Sequence, residues 1–388
     1  VTVTAPKGFR AAGVKAGLKA SGNPDLALVV NDGPSKGAAA VFTSNRVAAA
    51  PVHWSRQVVK DGRVDAVVLN SGGANACTGP QGFQNTHATA EKTAEVLGVS
   101  ATDIFVCSTG LIGEQLPMDK IIPAISAAKS ALSADGGPAA ATAIMTTDSV
   151  SKEAVFTGKD AEGNEYTIGG MAKGAGMLAP GLATMLVVIT TDAEVQPEML
   201  DVVLRDATRV TFDRADSDGC MSTNDTVVLL ASGASGAVPA ARDFGAGLTQ
   251  VCAELARKLI GDAEGASHDI AIRTFNAASE KEAEIVSRAV ARSNLFKAAI
   301  FGKDPNWGRV LSAVGTTDAA FEPDRLNVSM NGVQICRDGS IGDDRSLVDL
   351  EPREVLVEID LQAGEAEATI WTNDLTHDYV HENSAYSS

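Results

Sequence analysis

The chain has 388 residues, 45% of them hydrophobic and 21% charged, enough for a sizeable core and for more than one layer of structure. Its net charge of −17, with no basic stripe to offset it, argues against nucleic acid or another polyanion as a partner. The 5 cysteines stand far apart with no CxxC pair, no apolar run is long enough to span a bilayer, and the first residues lack the apolar core of a secretion signal; these features predict a cytoplasmic protein with free thiols, no disulfide framework and no zinc site.

In chain order, apolar β-branched runs predict strands over 25–30 and 38–43, separated by Asn31-Asp32-Gly33-Pro34. A buried strand over 64–70 ends in a loop of small polar residues, 71–79. A helix over 83–97 is stopped by Gly98. A short strand over 104–107 runs into the turn Ser108-Thr109-Gly110, and a helix over 118–132 follows Pro117. After the break at Asp135-Gly136-Gly137-Pro138, a helix over 139–145 ends at Thr146-Thr147-Asp148. Strands over 153–157 and 165–168 flank an acidic turn.

The next stretch, Lys173-Gly174-Ala175-Gly176 through Pro180-Gly181, is a loop that enters an apolar strand expected to begin at Thr184. A helix over 196–212, an acidic hydroxyl-rich loop over 216–225, a strand over 226–231 and a long amphipathic helix over 241–260 come after it. A strand over 269–275 is followed by a helix over 279–292, whose start is marked by Ser279 ahead of Glu280, Glu282 and Glu284. The pattern then predicts a short strand over 297–301, a helix over 307–314, and a hairpin of strands 355–361 and 365–372 around Gln362-Ala363-Gly364. Intermixed strands and helices point to a layered α/β or α+β architecture, with no linker long enough to separate independent domains.

Common catalytic and nucleotide-binding motifs are absent: there is no GxxxxGK[ST], no GxGxxG between a strand and a helix, and no GxSxG. His377 and His381, four apart beside Glu382, would suit a metal on a helix, but 378–380 do not read as helical and no metal site is expected. Asp216, Asp218 and Asp225 lack EF-hand spacing and read as a hydrogen-bonded turn. What remains is hydroxyl groups and turn backbone. Thr184 at the loop–strand junction is either the first residue of a buried strand or a nucleophile held rigidly within reach. A threonine needs a base, and no His, Asp or Lys stands close to it in sequence. One solution is an N-terminal threonine whose own α-amine, with a pKa of roughly 7.7–8.0, takes the hydroxyl proton. That solution requires a cut between Ala183 and Thr184, made by attack of the hydroxyl on the preceding carbonyl.

The stretches Lys173-Gly174-Ala175-Gly176-Met177 and Ala183-Thr184-Met185-Leu186 resemble the self-cleavage motif of ornithine acetyltransferase, the bifunctional glutamate N-acetyltransferase of arginine biosynthesis. So do Asn70-Ser71-Gly72-Gly73-Ala74-Asn75-Ala76, Cys107-Ser108-Thr109-Gly110-Leu111-Ile112-Gly113, Met145-Thr146-Thr147-Asp148, Ser222-Thr223-Asn224-Asp225-Thr226, Asp262-Ala263-Glu264-Gly265, Asp304-Pro305-Asn306-Trp307-Gly308-Arg309-Val310 and Glu382-Asn383-Ser384-Ala385-Tyr386, in the family's order along the whole chain. Cys220 and Met221 depart from it, standing where an acidic residue and a threonine are usual.

The resemblance implies an α-β-β-α layered sandwich with mixed sheets, of the ornithine acetyltransferase and DmpA-like kind. It implies self-cleavage into an α chain, 1–183, and a β chain, 184–388, intertwined in one fold and associating as an α2β2 heterotetramer. The implied reaction moves the acetyl group of N2-acetylornithine to glutamate in a ping-pong scheme, without a cofactor; acetyl-CoA is a possible second donor substrate. Thr184 is the implied nucleophile and its α-amine the base. Thr109 and Gly110 are the implied oxyanion donors, and Thr146, Lys173, Thr184, Glu264, Asn383 and Ser388 the implied substrate contacts. Two other readings stand beside this one: an N-terminal-nucleophile amidase or aminopeptidase with water as acceptor, and a non-catalytic amino-acid-binding protein.

Overall fold

Strands whose residues are apolar at every position must be covered on both faces, because side chains alternate between the two sides of a sheet. This pattern organises the first of two compact units in the computed structural model, which describes residues 2–177, 179 and 185–385. The first unit takes residues up to Asp213 and Cys220–Asp262. Its elements are β1 (Phe9–Val14), β2 (Leu26–Asn31), β3 (Gly37–Phe42), α1 (Ala50–Val58), β4 (Ala66–Asn70), α2 (Gly79–Leu97), β5 (Ile104–Ser108), α3 (Met118–Ala131), α4 (Gly137–Ala143), β6 (Lys152–Lys159), β7 (Glu165–Lys173), β8 (Leu186–Thr191), α5 (Pro197–Arg209), β9 (Thr226–Ala231) and α6 (Ala241–Gly261).

Among the described residues these strands form a four-stranded sheet, β1-β2-β4-β5, and a five-stranded sheet, β3-β9-β8-β7-β6. Both are mixed: β4–β5 and β8–β9 pair parallel, the other neighbours antiparallel. Alternation then assigns the cores. Val29, Val67, Leu69 and Phe105 from one sheet meet Leu186, Val188, Val228 and Leu230 from the other. The opposite faces look outward: Leu28, Val68 and Val106 pack on Ile121 and Ile125 of α3, and Val187, Ile189 and Leu229 on Leu204, Leu248 and Leu255 of α5 and α6. The layers run α-β-β-α, as the resemblance implied. β7 and β8 are antiparallel neighbours, with Lys173 opposite Leu186, so the segments on either side of the expected cut share one sheet. The expected strand start at Thr184 lies outside the described residues, and β8 begins at Leu186. Helix α2 begins at Gly79, a turn before the expected start, because Pro80 suits the first turn of a helix; it ends at Gly98 with φ +71°.

The second unit takes Arg214–Gly219 and the chain from Ala263. It contains β10 (Asp269–Ala277), α7 (Glu280–Ala291), α8 (Asn294–Phe301), α9 (Trp307–Val314), β11 (Asn327–Met330), β12 (Val333–Arg337), β13 (Ser340–Ile341), β14 (Glu354–Asp360), β15 (Ala366–Asn373) and α10 (His377–Ala385). Its sheet has the order β13-β12-β11-β14-β10-β15, and Val286, Val290, Phe296 and Val310 of the helices pack on Ile270, Ile272, Val357 and Ile370. Thus the chain does divide into two units, without the linker that composition would have signalled.

Three sequence expectations are corrected here. The strand expected over 297–301 is the helix α8, started by the Ser293 side chain accepting from the Phe296 N–H; a short apolar run carries no period of its own. The strands expected as a hairpin, 355–361 and 365–372, do not pair with each other. β10 lies between them, parallel to β14 and antiparallel to β15. The turn wraps the end of β10, where a Cβ on Gly364 would stand 2.3 Å from the Ala277 carbonyl oxygen. Finally, 377–385 is helical although its sequence lacks a helical apolar stripe, because the Thr376 hydroxyl accepts from the Tyr379 N–H at 2.9 Å and caps it.

Candidate active site

Lys173 is the last residue of β7, and its side chain is only 2% exposed. A buried ammonium is costly unless it is hydrogen-bonded and its charge is answered. Here Nζ donates to Thr146 Oγ1 at 2.7 Å and to Thr109 Oγ1 at 3.1 Å, and stands 4.0 Å from Asp148 Oδ2. Three residues singled out from the sequence, from three separate segments, therefore meet at one nitrogen. Each threonine oxygen accepts from the ammonium, which leaves its own O–H as a polarised donor.

Asp148 ties the cluster together. Oδ1 accepts from Lys152 Nζ and from the Gly174 N–H, both at 2.6 Å, and Oδ2 accepts from the Thr146 N–H at 3.0 Å. Burial alone would push this carboxyl up, but Lys173 and Lys152 outweigh it and hold it at about 2. Lys152, itself fully buried, also donates to Asp262 Oδ2 at 2.7 Å. Asp262 in turn accepts from the Ser149 N–H at 2.9 Å and from the Ser149 hydroxyl.

The turn after β5 is braced by amides. Asn70 Nδ2 donates to the Gly73 carbonyl at 2.9 Å, and its Oδ1 accepts from the Ser108 hydroxyl at 2.6 Å. Asn224 Nδ2 donates to the carbonyls of Ala74 and Ser108, at 2.6 and 2.8 Å. Gly110 has φ +133°, and a Cβ there would stand 2.5 Å from the backbone of Gly72 and Gly73. Two constraints, one conformational and one steric, thus demand glycine beside Thr109. Next to Asn224, the fully buried Asp225 accepts from the Met185 N–H through Oδ1 at 2.9 Å. Its Oδ2 is buried and has no hydrogen-bond partner among the described residues. Burial pushes this carboxyl well above the ordinary range; Met185, Ser222 and Lys173 pull it back only in part.

In the second unit, Asn383 on α10 donates from Nδ2 to Glu264 Oε2 at 2.9 Å. These two predicted residues, far apart in sequence, are brought together on an exposed surface. Ala183, Thr184 and Ser388 lie outside the described residues. Asp148, Lys152, Asp262 and Asp225 were not singled out as site residues from the sequence. Asp148, Asp225 and Asp262 do stand in stretches that carried the resemblance, which is the signal that could have found them. Lys152 carried none: nothing local marks a lysine that folding will bury.

The fold is a layered α/β architecture in which two threonine hydroxyls from separate segments converge on the buried ammonium of Lys173. A model of the ArgJ family matches residues 10–388. Proteins named arginine biosynthesis bifunctional protein ArgJ are 66% identical in Streptomyces coelicolor and 63% in Thermobifida fusca, each over 388 residues and the full length of both chains. The one from Mycobacterium leprae is 53% identical over 393 residues, covering 100% of this chain and 96% of its own. Among solved structures, ornithine acetyltransferase from Mycobacterium tuberculosis complexed with ornithine is 54% identical, with a TM-score of 0.44, covering 48% of this chain and 96% of its own. The chain belongs to the ArgJ family and is an enzyme of arginine biosynthesis.

Proposed function

We propose that this enzyme is a glutamate N-acetyltransferase that cuts itself between Ala183 and Thr184 and then carries the acetyl group of N2-acetylornithine to glutamate on Thr184. The reading is supported most by the convergence of Thr109, Thr146 and Lys173 at one buried ammonium. In the first half-reaction the Thr184 hydroxyl attacks the acetyl carbonyl while its α-amine takes the proton. The developing oxyanion is met by the Thr109 O–H, polarised by Lys173, and by the Gly110 N–H. The amine then protonates the leaving ornithine, and the glutamate amine attacks the acetyl ester in the second half-reaction. Both substrates carry an α-carboxylate, which suits Lys173 and Thr146, and ornithine carries a cationic side chain, which suits Glu264. Asn383, bonded to Glu264, and Ser388 complete the substrate contacts.

The relatives' printed name, bifunctional, favours acetyl-CoA as a second donor, used as a substrate with no resident cofactor. An α2β2 assembly in the cytoplasm completes the proposal. No helix among the described residues is long and apolar enough to cross a membrane.

The decisive experiment is a denaturing gel combined with a transfer assay. The expected outcome is two fragments in place of a 39.9 kDa band, and acetyl recovered on glutamate rather than as free acetate. A single full-length band from active protein would overturn the self-cleavage; acetate as the main product would favour the amidase reading. Glutamate acetylation from acetyl-CoA alone tests the second donor.

A further inference from the structure

A second buried lysine stands behind Lys173. Lys152 opens β6 and lies opposite Ala172 in the pairing with β7, so strand register brings it to the same end of the sheet as Lys173. Its side chain is 0% exposed, and its ammonium donates to Asp148 Oδ1 at 2.6 Å and to Asp262 Oδ2 at 2.7 Å. Asp262 sits at the C-terminal cap of α6, where the helix dipole disfavours an anion, so its carboxylate gains from the cation. The side chains thus alternate in sign along Asp262, Lys152, Asp148 and Lys173. A buried lysine shared between two carboxylates is a weak source of stability, since apolar residues of similar volume often do as well. Its position points instead to a role in the geometry of the centre.

We infer that Lys152 is a positioning residue: it keeps Asp148 from closing onto Lys173, so that the Lys173 ammonium stays directed at the two threonines and at a substrate carboxylate. The inference rests on the proposed reading that Lys173 receives the substrates' α-carboxylate. Asp148 Oδ2 stands 4.0 Å from Lys173 Nζ, about 1 Å beyond a direct charge-assisted bond. Lys152 and the Gly174 N–H, both at 2.6 Å, draw Oδ1 away from Lys173, and the Thr146 N–H holds Oδ2 at 3.0 Å. Lys173 bonds to Thr146 Oγ1 at 2.7 Å and to Thr109 Oγ1 at 3.1 Å instead. With Lys152 gone, Lys173 is the ammonium nearest to Asp148 among these groups. A small turn of the carboxylate then closes the gap and pulls Nζ off the threonines. The balance of charge changes in the same sense. Lys152 and Lys173 together offset Asp148 and Asp262, whereas Lys173 alone leaves a net negative charge that opposes an incoming carboxylate.

The test compares two ligands by calorimetry on the purified protein, whether cut or whole: ornithine, and 1,4-diaminobutane, which is ornithine without its carboxylate. Wild type is expected to bind ornithine more tightly. Lys152→Met should reduce that preference by about tenfold, the order of one charge-assisted hydrogen bond, with the affinity for 1,4-diaminobutane nearly unchanged. General damage to the fold would weaken both ligands alike. Adding Asp148→Asn to K152M removes the anion that captures Lys173 and should restore part of the preference, whereas a merely structural loss would deepen. A folded K152M with the wild-type preference overturns the role, and so does a double variant whose preference is no higher than that of K152M. If K152M does not fold, Lys152→Gln decides, because it keeps a donor without the charge; an undiminished preference in K152Q overturns the role. A wild-type protein with no preference for ornithine overturns the carboxylate reading of Lys173 and this inference together. A preference present in wild type and intact in the Lys152 variants removes only the role of Lys152.

Discussion

Asp148 and Asp225 are both fully enclosed, and both feel the ammonium of Lys173, yet they settle on opposite sides of the ordinary carboxylate range. At Asp148, two lysines and two backbone N–H groups answer both oxygens, and the charged form wins. At Asp225 the Met185 N–H answers Oδ1 and the Ser222 hydroxyl pulls the same way, but no lysine bonds to the carboxyl among the described residues, and burial wins. Burial sets the size of the electrostatic effects at both sites, and the local donors decide the sign. Two carboxyls with separated affinities for protons can divide the work of one centre, one as a fixed anion that orients cations and one as an exchangeable acid.

Replacing Lys173 with methionine removes the cation common to both sites. Both threonine hydroxyls lose their polarising donor and, on the proposed reading, the substrate carboxylate loses its partner, so kcat/KM for transfer should fall by at least about 10³-fold in a steady-state assay. A fall of less than tenfold would show that the two carboxyls do not depend on one cation for function. Gly110→Ala forces a side chain against the Gly72–Gly73 backbone at a positive φ. Transfer should drop about 10²–10³-fold through the displaced donor, with kcat falling more than KM rises.

Asp148→Asn tests the anion. Its folded-state value of about 2 lies below the ordinary 3.8, so the stability it contributes is present above the ordinary value and is lost as pH falls toward 2. The variant should lose roughly 2 kcal/mol at neutral pH, and the difference from wild type should shrink below about pH 4 in denaturant titrations. Asp225→Asn should do the reverse. A raised carboxyl withdraws stability as pH rises from the ordinary range through its folded value, so in a Thr184→Ala background D225N should melt at or above the parent temperature at pH 8. A large loss of stability there would mean that Asp225 is ionised and paired, and the contrast with Asp148 would collapse. The smallest effect is expected at Glu264→Gln, on an exposed pair in the second unit: KM for N2-acetylornithine should rise several-fold with kcat nearly kept, because an exposed charge contributes little more than about 1 kcal/mol.

The centre was marked by the resemblance and not by the residues alone: Thr109, Gly110, Thr146 and Lys173 stand at ends of apolar runs, where by themselves they read as ordinary turn residues. The partners that hold them were less visible. Lys152 and Asp262 are 110 positions apart and meet only because α6 returns its C-terminal end to the start of β6. The acidic loop over 216–225 read as one turn but serves two units: Asp216 pairs with Arg288 and Arg292 in the second, while Asp225 holds Met185 in the first.

Local chemistry by itself determined the elements with a strong period or cap, such as α6, α7 and the two-faced apolar strands, because alternation and capping act over a few residues. The tertiary structure alone decided which strands became neighbours. The chain that reads as a hairpin around Gln362-Ala363-Gly364 instead opens to admit β10, since pairing on both edges of that strand satisfies more backbone and buries more apolar surface than a two-stranded ribbon could. It also decided the charges. No pattern in the sequence distinguishes Asp148 from Asp225; only the donors that folding brings to each carboxyl make one an anion and the other an acid.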